Sequence, residues 1–243
     1  MSFSTELIEA GTPILDHIME HPFVKGIGAG QLSKEALMFY VTQDFNYLNE
    51  FLHADAVALL KSTSREDMQI IDNQLDFLLS SESEAHKNFC EVAGTPYKSL
   101  QGQPMAPTTK LYTNHMLETL KAGDLIDIIA AMTPCPWTYA EIGKKLVEQG
   151  KNTPDNVFTP WIELYAGTAD DDDSDETPEQ LPLFEILDRE APKYSRQRLD
   201  QVKRSFLESC EFEWDFWEQA YYQKDWQFLP GVKLPIGVTA KTK

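Results

Sequence analysis

An all-α fold in a single helical domain is predicted by three observations. Apolar residues recur with the 3.6-residue helical period along almost the whole chain, and hardly any stretch alternates as a strand would. A chain of 243 residues, 42% hydrophobic and 11% aromatic, has enough apolar matter for one large core. No internal repeat and no linker long enough to divide the chain interrupts it.

The elements follow in order. Ser4 can cap a first helix carrying Leu7, Ile8, Ile14, Leu15 and Ile18, which Pro13 either kinks or restarts from Thr12 and which ends before His21-Pro22. Gly26-Ile27-Gly28-Ala29-Gly30 reads as a loop. Ser33 caps a long helix whose apolar row runs Leu37, Val41, Asp44, Leu48, Phe51, Asp55, Leu59, with two acids in the stripe. A third helix from about Arg65 shows Met68, Ile71, Leu75, Leu78, Glu82, His86 and Phe89. Gly94 to Pro107 is a Pro/Gly-rich loop, after which Thr108 or Thr109 opens a helix with Tyr112, His115 and Met116 that Gly123 interrupts. Helices are expected from Leu125 to Met132, Pro136 to Val147 and Asn156 to Tyr165. An acidic run at about 168–180 repels itself and buries nothing, so it reads as a surface loop inserted into the domain. A short helix near Leu183 and a long one from about Ser195 close the fold, the latter with Leu199, Val202, Phe206, Cys210, Glu213, Trp217 and Tyr221 on one face.

Composition narrows the function. A formal charge of -18, with 21 Lys and Arg against 39 Asp and Glu, repels phosphate backbones and argues against nucleic acid as a partner. Neither G-x-x-x-x-G-K-[ST] nor G-x-G-x-x-G occurs, so a nucleotide cradle has no support. Three cysteines, no leader-like start and no apolar run near the roughly 18 residues that span a bilayer predict a cytoplasmic protein without membrane contact. A neutral or cationic small molecule suits such a chain better.

The chemistry gathers at two places. Cys135 lies between Pro134, which should end one helix, and Pro136, which can open the next. A helix N-terminus favours an anion, one way in which a cysteine becomes a nucleophilic thiolate, although a lone cysteine is also a common core filler. Asp44, Glu82, His86 and Glu213 stand at core-facing positions on three helices, where an unpaired charge costs several kcal/mol. With Tyr47, Tyr112, Tyr139 and Tyr165 they outline a polar, aromatic-walled cavity for a flat, nitrogen-containing ring. Two chemistries fit it: a Cys135 nucleophile with Glu213 or another carboxyl of raised pKa as proton donor, needing no metal, or a di-iron centre held by the acids and His86. For the second, the chain holds one E-x-x-H, Glu50-x-x-His53, while Glu82-x-x-x-His86 has the wrong spacing.

The segments His21-Pro22-Phe23-Val24, Tyr40-Val41-x-Gln43-Asp44-x-x-Tyr47-Leu48, Glu82-x-x-x-His86, Tyr112-x-x-His115-Met116, Pro134-Cys135-x-Trp137-x-Tyr139-x-x-Ile142-Gly143, Trp161-Ile162-x-x-Tyr165-Ala166 and Glu213-x-x-Phe216-Trp217 resemble the TenA family, thiaminase II or aminopyrimidine aminohydrolase, in its cysteine-containing branch. The resemblance runs over nearly the whole chain and departs from it in the acidic run and after Trp226. It implies a haem-oxygenase-like bundle without haem or other cofactor, assembled as a homotetramer. It implies hydrolysis of 4-amino-5-aminomethyl-2-methylpyrimidine to the hydroxymethyl compound and ammonia in thiamin salvage, with slower cleavage of thiamin. By the same resemblance Cys135 adds to the ring, Glu213 handles protons at a ring nitrogen and Asp44 grips the amidine edge. Tyr47 and Tyr165 sandwich the ring, Tyr112 and Tyr139 supply hydroxyls, and Glu82 with His86 gives polar support. A non-enzymatic regulatory role is the remaining reading, against which the charge argues where DNA contact is concerned.

Overall fold

The computed structural model describes residues 2–80, 82–168 and 181–234, the side chains of 82, 83 and 122 excepted. The acidic run from 169 to 180 therefore lies outside the described residues. Eleven α-helices and no strand occur among the described residues: α1 Phe3–Met19, α2 Pro22–Ala29, α3 Lys34–Lys61, α4 Arg65–Ser80, α5 Glu82–Ala93, α6 Pro107–Ala122, α7 Leu125–Met132, α8 Pro134–Glu148, α9 Thr159–Ala166, α10 Pro182–Glu190 and α11 Arg196–Tyr222. None is long and apolar enough to cross a membrane.

The two longest helices obey their sequence signals. Ser33 and Ser195 cap α3 and α11, each hydroxyl accepting the backbone N–H three residues on. They pack on each other, and α7 packs against both. Every residue of α7 from Leu125 to Met132 is buried, as expected of a helix apolar on all sides. Around this centre α1, α2, α6 and α8 pack against α11, while α4, α5 and α6 pack against α3.

Several element boundaries differ from the sequence reading, each for a local reason. The first helix is capped by Ser2, and Ser4, one position inside it, instead gives its N–H and hydroxyl to the Asp188 carboxylate at 2.7 and 2.6 Å, tying α1 to α10. Pro13 sits inside α1 without breaking it. The glycine-rich stretch read as a loop is helix α2, capped by His21, whose ring Nδ1 accepts from Phe23 N, and closed by Gly30 at φ 69°. Gly26 is required there: a Cβ would stand 2.5 Å from Leu32 Cδ2 and 2.7 Å from Gln31 O. Asn156, expected to begin a helix, spends its amide on the Ile27 carbonyl at the end of α2, and α9 starts at Thr159. The row from Arg65 to Phe89 is two helices, α4 and α5; Ser80, the last residue of α4, turns its hydroxyl back onto Asp76 O at 2.6 Å, a competing bond that favours a helix end. Helix α6 begins at Pro107 rather than at Thr108 or Thr109. Pro134 opens α8 instead of merely ending α7, because Thr133 stays in the αR region and accepts the first bond of α8 from Trp137 N.

Asp55 is an anomaly of the core. It is fully buried on α3, neither carboxylate oxygen has a hydrogen-bond partner among the described residues, and burial raises its pKa to about 8. A carboxyl raised in the folded state stabilises below its unfolded value and loses that contribution as pH rises through about 8. Asp55→Asn removes this titration. Denaturant unfolding at pH 5 and pH 9 is expected to show the variant gaining on the wild type at the higher pH; an unchanged difference between the two pH values would contradict a neutral, buried Asp55.

Candidate active site

A cavity of about 220 Å³ opens between α3, α4, α8 and α9. Helix α3 contributes Asp44, Leu48 and Phe51, α4 contributes Gln74, Phe77 and Leu78, and α8 contributes Cys135, Pro136, Tyr139 and Ala140. Leu164, Tyr165, Gly167 and Leu181 complete the wall. Most of this lining is apolar and aromatic, with a few polar groups converging in it, the form of a site for a small, largely flat ligand.

Cys135 is half-buried at the second position of α8 and faces this cavity. Prolines at the first and third positions are tolerated because the N–H groups they lack would find no intrahelical acceptor there. The other two thiols are of another kind. Cys90 and Cys210 are buried, and burial raises the first to about 11 and the second well above its ordinary value.

Asp44 is buried yet reaches the cavity. Its Oδ2 is 2.8 Å from His86 Nε2, and Oδ1 has no protein partner among the described residues, so it is available to a ligand. The side chain of Glu82 lies outside the described residues. Glu213, Tyr112 and Tyr47 do not line the cavity; they form a buried layer beside it. There the Tyr112 hydroxyl donates to Glu213 Oε1 at 2.6 Å, and the Tyr47 and Tyr112 rings lie 4.7 Å apart. The Tyr47 hydroxyl is buried close to that of Tyr112. Tyr139 and Tyr165 do line the cavity, their rings 4.9 Å apart, and Tyr139 exchanges a 2.6 Å hydrogen bond with Tyr40. Gly143 allows this pairing. A Cβ there would stand 2.5 Å from Ala166 N and 2.7 Å from the Tyr165 carbonyl carbon, so α8 meets α9 backbone to backbone.

The electrostatics separate the groups. Burial pushes Glu213 up to about 8, the Asp44 charge adds to the rise, and the Tyr112 hydrogen bond opposes it. Glu213 therefore carries a proton at neutral pH. Tyr47, Tyr112 and Tyr139 are held well above their ordinary values, first by burial and then by the charges of neighbours that include Glu213 and Cys135, so they remain neutral donors.

The sequence reading did not find Gln74 and Phe77. Both sit half-buried on the edge of α4, where a polar residue beside a short apolar row looks like a solvated face. Glu50 and His53 pair with each other at 3.1 Å on the outer side of α3, with His53 69% exposed. Among the described residues, no group of three or more His, Cys, Asp or Glu could hold a metal ion.

Exposure orders the thiols. Iodoacetamide at pH 7.5, followed by peptide mass spectrometry, is expected to label Cys135 in the folded protein and Cys90 and Cys210 only after denaturation; labelling of Cys210 first would invert the order.

Comparison with known proteins places this geometry in a lineage. Residues 9–224 match the model of the TENA/THI-4/PQQC family. An aminopyrimidine aminohydrolase of Halalkalibacterium halodurans is 34% identical over 229 residues, covering 94% of this chain and 99% of the relative. A solved TenA family transcription regulator from Silicibacter superposes with a TM-score of 0.73 at 25% identity, covering 89% of this chain and 95% of its own. A Shewanella denitrificans domain with a heme oxygenase-like fold gives 0.62 at 13% identity, covering 90% and 92%, and shares the fold alone. The bundle is thus haem-oxygenase-like, and the chain belongs to the TENA/THI-4/PQQC family, in its TenA group.

Proposed function

We propose that the chain is an aminopyrimidine aminohydrolase that converts 4-amino-5-aminomethyl-2-methylpyrimidine and water into the 5-hydroxymethyl compound and ammonia, and cleaves thiamin more slowly, as a step of thiamin salvage. The observation that carries the reading is one cavity in which a half-buried thiol at a helix start, a buried aspartate with one oxygen unpartnered among the described residues and two tyrosines meet, next to a carboxyl protonated at neutral pH. The activity of the Halalkalibacterium relative, 34% identical over nearly its full length, supports the same substrate class.

In this mechanism Asp44 Oδ1 accepts from the substrate amino group and fixes the ring against Tyr139 and Tyr165. Cys135 Sγ forms a bond to an electron-poor ring carbon and its proton passes to the substrate's 5-aminomethyl nitrogen, while Glu213, in the buried layer beside the cavity, is the source of the proton taken up at the ring nitrogen that receives the electron pair. The pair then returns to form an exocyclic double bond at the 5-methylene, and the amine, carrying the proton from the thiol, leaves as ammonia. Water adds its hydroxyl to that methylene, the Cys135–carbon bond breaks, the proton released by the water restores the thiol, and the ring nitrogen's proton returns to Glu213. Tyr112, donating to Glu213, orients the carboxyl, and neutral Tyr139 offers a hydroxyl near the methylene. No metal or cofactor enters any step, and the reading extends to a cytoplasmic homotetramer.

Turnover of the aminopyrimidine and of thiamin by chelator-treated protein tests the assignment. Cys135→Ala is expected to abolish turnover while the pyrimidine still binds, since the thiol acts in the chemistry and Asp44 and the rings do the holding. Wild-type rates in that variant would remove Cys135 as nucleophile.

Glu213 sets the alkaline limb. Its proton is present below about pH 8 and lost above, so the rate should fall through that range. Glu213→Gln is expected to lower kcat by about a hundredfold, the scale of a general acid–base group, and to erase that limb. Retention of both rate and limb would assign the proton work elsewhere.

A further inference from the structure

The 94–106 segment between α5 and α6 carries a side chain that the mechanism above does not use. Tyr97, in a short 3₁₀ turn over Tyr97–Leu100, places its hydroxyl 2.9 Å from His86 Nδ1. The opposite ring nitrogen, His86 Nε2, is 2.8 Å from Asp44 Oδ2, and His86 is 1% exposed. Three residues thus form one line of hydrogen bonds that ends on the carboxylate facing the cavity.

For a neutral imidazole, donor and acceptor counting fixes the protons along this line. A carboxylate only accepts, so the bond to Asp44 needs a proton on His86 Nε2. In a neutral imidazole Nδ1 is then the acceptor, and a tyrosine hydroxyl is a donor that suits it. The segment that presents Tyr97 is fastened where it matters. Gln43, next to Asp44 on α3, donates to Pro104 O at 3.1 Å and accepts from Ala106 N at 2.7 Å, and Asn46 donates to Gln103 O at 3.0 Å. From the other side the stretch after α11 holds the same segment: Trp226 Nε1 donates to Met105 O at 2.8 Å and Lys233 N to Gln103 Oε1 at 3.3 Å. The Tyr97 ring packs edge-on against Phe45 and tilted against His86, with centroids 6.3 and 5.3 Å apart.

We propose that Tyr97 is a positioning residue for substrate: its hydroxyl, donating to His86 Nδ1, holds His86 as the Nε2–H tautomer, which occupies Asp44 Oδ2 and leaves Oδ1 as the single acceptor for the substrate's amino group. The inference rests on the reading that Asp44 receives the aminopyrimidine. It gives the 94–106 segment, and the chain after Trp226 that braces it, a part in substrate binding. With the hydroxyl gone, Nδ1 is an acceptor without a donor; the imidazole then also populates the Nδ1–H form, and Asp44 loses its fixed orientation.

Tyr97→Phe keeps the ring contacts and removes only the hydroxyl. Nitrogen-15 correlation spectra of the histidine rings are expected to show His86 as the Nε2–H tautomer in the wild type and as a mixture in Tyr97→Phe. Calorimetric binding of 4-amino-5-hydroxymethyl-2-methylpyrimidine, the unreactive product, is expected to weaken about threefold to tenfold, the scale of one neutral hydrogen bond. KM should rise more than kcat falls, which a merely structural loss would not produce. An Nδ1–H or doubly protonated His86 in the wild type would overturn the proposal, as would unchanged product affinity in Tyr97→Phe. If the wild type bound no aminopyrimidine at all, the functional reading would fall, and the tautomer spectra alone would decide whether Tyr97 sets His86.

Discussion

The withdrawal of two carboxyl groups from water, Asp44 on α3 and Glu213 on α11, is the constraint on which the site depends. Leaving either buried without partners costs several kcal/mol, so each must be answered by another helix. His86 from α5 answers Asp44, and Tyr112 from α6 answers Glu213. Four helices are thereby held in register around one point. The two carboxyls also have different surroundings: Asp44 has an imidazole hydrogen-bonded to it, whereas Glu213 has a hydroxyl, an apolar setting and the repulsion of Asp44, and so keeps its proton to about pH 8.

Aromatic packing supplies the rigidity these polar groups need. Tyr40 and Tyr139 both stack on Trp217, at 5.4 and 5.1 Å with small interplanar angles, and their hydroxyls meet at 2.6 Å. Trp161 extends the cluster to Tyr165 at 4.5 Å and to Phe89 at 6.0 Å. Such pairs contribute about 0.5–1.5 kcal/mol each beyond their burial, and here they link α3, α5, α8, α9 and α11. Tyr139 therefore has no freedom to leave the cavity wall, and Cys135, one turn earlier on α8, shares its frame.

Helix α4 contrasts with this. Only Asp67 and Ile71 of its described residues are buried, yet it supplies Gln74, Phe77 and Leu78 to the cavity. Its first turn is held by Arg189 of α10, which pairs with Asp67 at 2.5 Å and with Glu66 at 3.3 Å. One wall of the site is thus built on an ion-paired, lightly buried helix, and the opposite wall on the core.

Local sequence determined the helical class, the Ser33 and Ser195 caps and the placing of Cys135 in a first turn, because period, capping chemistry and proline geometry act within a few residues. It also marked Asp44, His86 and Glu213 as polar groups facing inward, since an acid in an apolar row is visible without knowing what it meets. Tertiary structure decided the rest. Gly26 and Gly28 lie in a helix because Leu32 and Asn156 pack against it, which no local propensity for glycine would suggest. Tyr139 and Tyr165 line the cavity while Tyr47 and Tyr112 stand beside it, although all four occupy similar positions on apolar faces. Gln74 lines the cavity from an exposed-looking helix edge, and Tyr97 meets His86 from a short turn between α5 and α6. Periodicity records which face of an element is buried; which buried faces enclose a cavity is settled only when helices distant in sequence meet.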